Sequence, residues 1–322
     1  MARPKRDELA LVRAAEALAE SEAQELAFTT GFLAQVCLPY RNPGDIPVWQ
    51  RRNGNLLLTV QPGYTDDPDS GKPRSLGYPS GVIPRQLMFW LITEAKRTKS
   101  STLVLGDGVV EFFRQLNPDV KATGGSTGSL TRLRTQTERL FHAKISVRSQ
   151  RTLPDGERAV LTQNLSVAHR VLLWGADGSD DDRAVVQLST DFYEEILDRA
   201  VPLDLGALRL FGDNAWCIDM YAWLTYRFSY LRHEITVSWD ELNAQFGSAR
   251  KLETKEARYK FKKAVERHLA RVLTVYRDAN VESTAAGLVL RPSLTHVRFK
   301  GLRALESGAT ASGQLTLDGG FA

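Results

Sequence analysis

Residues 7–28 repeat Ala, Leu and Glu at helical spacing, which predicts an amphipathic helix with Leu9, Val12, Leu18 and Leu26 as candidate contacts. "IPVWQRRNGNLLLTVQPGY" then sets two apolar runs about Asn53-Gly54, a strong hairpin pattern. The Pro, Gly and Asp content of "TDDPDSGKPRSLGYPSG" predicts a loop. Pro84 suits the first turn of a helix, and Leu87, Leu91 and Ala95 give that helix a buried stripe. A short strand, "STLVLG", and a second helix, "DGVVEFFRQLN", follow. A Gly-rich link leads into a helix carrying arginines, and two strand-like runs about a Pro-Asp-Gly turn come after it. This order is that of a winged helix, a helix-turn-helix with a β-ribbon beside its recognition helix.

The order then repeats. A long apolar helix, "NAWCIDMYAWLTYRFSYL", precedes the strand "EITVSW", the helix "DELNAQFG", a basic helix from about Glu253 to Tyr276 and a hairpin-like pair. The predicted fold class is α+β, with two tandem winged-helix domains at residues 76–178 and 179–300. Residues 1–75 form an N-terminal helix and β-hairpin extension. The Asp-rich residues 175–182 read as a linker, and the Gly-, Ser- and Ala-rich residues 301–322 as a disordered tail.

At 322 residues, 43% apolar and 25% charged, the chain has the makeup of a soluble globular protein. No apolar run reaches the roughly 18 residues that span a bilayer. The charged start lacks an apolar signal core, and Cys37 and Cys217 have no partner pattern, which predicts reduced thiols in a cytoplasmic protein. The net charge is only +4, but residues 121–151 contribute +6 and residues 250–263 contribute +5, leaving −7 on the remainder. Two basic segments on an acidic body are the charge distribution of a polyanion-binding protein; a pair of solvated helices is the plainer reading.

The first basic segment, "TGGSTGSLTRLRTQTERLF", begins like a phosphate loop. A nucleotide loop needs a Lys directly after its last Gly to reach the outer phosphates. Here Gly128 is followed by Ser129 and Leu130, and the next Lys is Lys144. In helical projection Leu130, Leu133, Thr137, Leu140 and Phe141 share one face. The opposite face carries Thr131, Arg132, Thr135, Arg139 and His142, with Gln136 at its edge. Arg forks onto guanine, Thr meets base edges or phosphate, and a Gly-Ser entry through Ser126 and Ser129 offers backbone amides to a phosphate. The second basic helix buries Ala257, Phe261, Val265, Leu269 and Val272. It turns out Tyr259, Lys260, Lys263 and Arg267, flanked by Lys255, Arg258 and Lys262. Lysine acts as a point charge, so the second helix is assigned mainly to phosphates and the first to bases.

At "GYPSGVIPRQLMFWLITEAKRTKS", "GDGVVEFFRQL" and "TGGSTGSLTRLRTQTERLF", with "VWQRRNGNLLLTVQPGY" before them, the chain resembles the plasmid-encoded RepA replication initiators of bacteria. The resemblance covers roughly residues 30–300. It implies two winged helices, binding of directly repeated origin sites in double-stranded DNA by monomers, and autorepression by dimers. It further implies origin opening and recruitment of the host replication initiator and replicative helicase machinery.

Enzymatic readings are weaker. The five histidines, at 142, 169, 233, 268 and 296, never form the His-hydrophobe-His pair of a metal-dependent nicking site, so Tyr259 is assigned to packing or DNA contact rather than nucleophilic attack. No Cys/His cluster has metal-ligand spacing, and no catalytic residue, metal or cofactor is predicted. A winged-helix repressor without a replication role is the second reading, and a nicking or primase-like enzyme the third.

Overall fold

The computed structural model describes residues 6–21, 24–105, 114, 128–152, 157–172, 185–247 and 252–297. Helix and strand are mixed along the chain, an α+β fold. Ser126, the helix expected in residues 107–117, the linker at 175–182 and the tail at 301–322 lie outside the described residues.

Helix α1 (Arg6–Glu20) is shorter than the spacing predicts, because Leu26–Thr30 form strand β1 instead. The segment pairs antiparallel with β11 (Ala200–Asp204), and this ladder, with the β-branched Thr29 and Thr30 in it, overrides the local helical pattern. The contact stripe differs as well. Leu11, Ala15 and Leu18 pack inward, whereas Leu9, Val12 and Leu26 are exposed. Helix α2 (Gly31–Gln35) follows β1.

The hairpin at Asn53-Gly54 forms from β2 (Trp49–Asn53) and β3 (Leu56–Gln61). Asn53 pairs with Leu56, so Gly54 and Asn55 make the turn, and Gly54 adopts φ 52° there. The stretch read as a loop is a second ribbon, β4 (Gly63–Asp66) with β5 (Pro73–Gly77). Its Pro, Gly and Asp residues mark only the tip, where the Asp67 carboxylate accepts from the Ser70 amide at 2.9 Å.

Helix α3 (Val82–Thr98) buries Leu87, Leu91 and Ala95 as predicted. After β6 (Thr102–Val104) come α4 (Ser129–His142), β7 (Lys144–Thr152), β8 (Arg158–Leu165), β9 (Ala168–Leu172) and β10 (Val185–Leu188). The N-terminal hairpin joins the ribbon after α4 in one antiparallel sheet of order β2-β3-β7-β8, and a second sheet has order β6-β10-β9. Strand pairing therefore crosses both expected boundaries, at 75/76 and at 178/179.

Helices α5 (Thr190–Arg199) and α6 (Leu205–Phe211) lead to the second repeat. It contains α7 (Ala215–Tyr230), β12 (Ile235–Ser238), α8 (Trp239–Phe246), α9 (Lys255–Val275), β13 (Val281–Ser283) and β14 (Gly287–Leu290), with sheet order β12-β14-β13. A capping box of Ser238 and Glu241 starts α8, and the Thr254 hydroxyl accepts from the Ala257 amide at 3.0 Å to start α9. One continuous apolar core joins both repeats, from Leu58 and Leu140 through Trp223 to Leu269 and Leu290. Cys37 and Cys217 are free and buried. Among the described residues no helix is long and apolar enough to cross a membrane.

Candidate nucleic-acid interface

Amphipathic spacing decides which face α4 shows. Leu133, Thr137, Leu140 and Phe141 are buried, as the projection requires. Arg132, Arg134 and His142 are exposed, while Ser129, Thr131, Thr135, Gln136 and Arg139 are half-buried. Of the half-buried ones, Thr131, Thr135, Gln136 and Arg139 line a cavity of about 390 Å³ together with Arg132, the residues Ser80–Ile83 that open α3, and Asp213. Two of them hold this cavity in shape. Arg139 donates from Nε to the Leu76 carbonyl at 2.7 Å, and Gln136 Oε1 accepts from the Ser80 amide at 2.9 Å. Both bonds tie α4 to the β5–α3 segment. Gly63 on β4 completes the seat, since a Cβ there would lie 2.4 Å from the His142 Cβ. Arg132 is the guanidinium on this face that stays exposed with no such bond to the fold.

Helix α9 buries Val265, Leu269 and Val272 and half-buries Ala257 and Phe261. Its cations divide into two groups. Lys262 turns toward the β13–β14 hairpin, donating to the Thr284 carbonyl at 3.0 Å and lying 5.1 Å from the Trp239 ring centre. Arg258 turns toward α8, 3.1 Å from Asp240. Lys255, Tyr259, Lys260, Lys263 and Arg267 are exposed, with Lys263 over the Tyr259 ring and Lys260 beside Glu256. Beneath Arg267 the His268 ring stacks on Trp216 at 5.1 Å. Burial, then Arg267 and Arg271, lower the His268 pKa to about 4, so the ring is neutral at physiological pH and adds no charge to this face.

The first helices of the two repeats are joined by a buried pair. Arg85 on α3 meets Asp219 on α7 through two hydrogen bonds, of 2.8 and 2.7 Å, and also donates to the carbonyls of Leu38, Pro39 and Gly81. A second arginine makes a second joint. Arg51 on β2 donates to the carbonyls of Gln245 and Gly247 at 2.7 and 2.8 Å, satisfying the C-terminal end of α8 just before α9. Both guanidinium groups lie over the Tyr40 ring. The basic helices are thus parts of one body.

The family model described as plasmid-encoded RepA protein matches residues 78–241, just over half of the chain, and takes in α3, α4 and the start of the second repeat. The chain belongs to the plasmid-encoded RepA family. A crystal structure of selenomethionine derivatives of domains 2 and 3 of RctB aligns over 84% of this chain and 99% of that one, with 12% identity and a TM-score of 0.46. No curated protein matches the chain.

Two parts of this candidate interface escape sequence reasoning. The α3 entry and Asp213 face α4 only through folding, and nothing in the local sequence of Asp213 marks it. Arg51 reads as one more surface cation until its carbonyl partners are known. The division within α4 and α9 has a measurable consequence. Arg132→Ala should lose roughly 1–3 kcal/mol of binding to the cognate duplex and less on random duplex. Arg139→Ala should lower stability as well as binding. Equal losses on both duplexes would reassign Arg132 to phosphate. On α9, Lys260→Ala and Lys263→Ala should each weaken all duplexes alike and flatten the salt dependence by about one unit of slope. A changed sequence preference with an unchanged slope would instead make them base contacts.

Proposed function

We propose that the chain initiates plasmid replication as a two-headed reader of duplex DNA. Each repeat acts as a winged helix, with α4 and α9 entering successive major grooves of a directly repeated origin site. The reading is carried by one observation: the two helices that occupy equivalent places in a repeated element order both fall in the two segments, 121–151 and 250–263, where the chain's positive charge is concentrated. Membership of the plasmid-encoded RepA family supports it. Monomers bind the repeats and open the duplex, the host initiator and replicative helicase are recruited there, and dimers repress the chain's own gene. No bond-breaking chemistry by this chain is required.

The test is footprinting on the DNA around the chain's own gene. Protection of directly repeated, non-palindromic sites is expected. Protection of a lone palindrome would favour a repressor, and magnesium-dependent nicking of supercoiled origin DNA would favour an enzyme.

A further inference from the structure

We propose that the outer face of the β2-β3-β7-β8 sheet is a third DNA-contacting surface, which follows the phosphate backbone between α4 and α9. The inference rests on the duplex-binding reading above. Its starting point is the register. Arg52 pairs with Leu57, Leu57 with Arg148, and Arg148 with Thr162, so these four stand in one row across the sheet. Directly paired residues share a face, and so do residues an even number apart on one strand, which adds Lys144 to the same side. The opposite face is the core side, with Leu58, Val60, Ile145 and Val147 buried.

The charge on this face is one-sided. The four strands, WQRRN, LLLTVQ, KISVRSQRT and RAVLTQNL, contain no Asp or Glu. Among the described residues no carboxylate pairs with Arg52, Lys144 or Arg148. This differs from α9, where Arg258, Lys260 and Lys262 each have an acidic neighbour. Asp240 and Glu253 line the cavity beside Arg52, but neither is within ion-pair distance of it, so the three cations remain available to an external polyanion.

The face also lies in the right place. At one edge Arg52 and Leu57 share a cavity of about 530 Å³ with Leu252, Glu253 and Arg258, at the entry to α9. At the other end Lys144 follows α4 directly and lines a cavity of about 440 Å³ with His142 and Tyr64. The surface therefore bridges the two reading helices. Arg52 and Arg148 are two strand spacings apart, roughly 10 Å, and Lys144 is roughly 13 Å along β7 from Arg148. That triangle fits within one duplex turn of about 34 Å.

The chemistry selects duplex backbone over other partners. A protein partner would need an apolar, aromatic centre, but this face offers only Leu57 and Val160 among amides, hydroxyls and cations. A single strand would need aromatic rings for stacking, and the described residues of the face include none. Phosphates need only point charges and hydrogen-bond donors.

The experiment uses the full chain and the duplex protected in the footprint. The triple variant Arg52→Gln, Lys144→Gln, Arg148→Gln should lower the slope of log affinity against log salt by about three units. Sequence preference should persist, and hydroxyl-radical protection of the backbone between the two groove clusters should vanish. Arg52→Lys with Arg148→Lys should keep the wild-type slope, which a packing role for the guanidinium groups would not allow. If the triple variant fails to fold, the single exposed change Arg148→Gln is read instead, with an expected slope change of about one unit. An unchanged slope, or loss confined to single-stranded DNA or to an acidic protein, overturns the inference. A wild-type chain that binds no duplex would overturn the proposed function, and a separate failure of the variant leaves that function standing.

Discussion

Arg85→Ala should destabilise the chain by about 3–5 kcal/mol, seen as a fall in the denaturant midpoint with little change in slope. The pair it breaks is almost fully out of water, with side chains 4% and 8% exposed for Arg85 and Asp219. Burial alone would lower the guanidinium pKa, but the Asp219 carboxylate more than offsets it, so the Arg85 pKa stands above its ordinary value. Removing Arg85 leaves the Asp219 charge buried without a partner. It also orphans the carbonyl of Leu38, in the segment between α2 and β2, whereas the Pro39 carbonyl keeps its bond from the Gly81 amide. The apolar double variant Arg85→Met, Asp219→Leu should recover part of the loss, because it removes both charges together. Recovery should stay incomplete, since the Leu38 carbonyl still lacks a donor. Full recovery, or a single-variant loss under 1 kcal/mol, would show that the pair does not lock the two repeats.

The basic helices were legible because each buries a stripe of its own residues: α4 and α9 show Leu and Val at helical spacing, and their buried faces are the ones that spacing defines. In α3 the predicted Leu87, Leu91 and Ala95 are buried, but so is every residue from Pro84 to Ile92, which spacing alone does not show. The α1 limit was not legible because strand pairing with a distant partner decides it, and the β4–β5 ribbon was not because the Pro, Gly and Asp of its tip mask the two short strands that flank it. Residues 26–30 find that partner at 200–204, and the ribbon is seated by the close approach of Gly63 to His142. The same limit applies to the site. A charged residue shows its charge in sequence but not its destination. Arg51 and Arg52 are neighbours of identical type, yet Arg51 is spent on carbonyls 194 and 196 positions away, while Arg52 points to the other face of the sheet. Strand alternation separates them once the strand is known. Which of the two faces is buried is a tertiary fact.

That locking has its largest consequence on DNA. Inserting about 5 base pairs between the two contact clusters of a cognate site should cost most of the specific affinity. Major grooves recur about every 10–10.5 base pairs, so a half-turn insertion carries the second cluster to the opposite face of the duplex. A chain with independently tethered repeats would adjust to this. Here Arg85–Asp219 joins α3 to α7, Arg51 joins β2 to the end of α8, and a single apolar core runs through both repeats. Following the shifted groove would require breaking these buried contacts, at a cost comparable to what the second helix gains by binding. The chain should therefore keep one helix in register and lose the other. Specific binding exceeds non-specific binding by roughly 10³–10⁷, so losing one of two readers should weaken the site by about 10²-fold or more. A full-turn insertion of about 10 base pairs restores the face but lengthens the span, and should recover little. Quantitative footprinting of a monomeric preparation on the two altered sites checks both outcomes. Equal affinity for the natural and half-turn sites would mean that only one helix reads bases, and a strict requirement for an inverted repeat would assign recognition to a dimer.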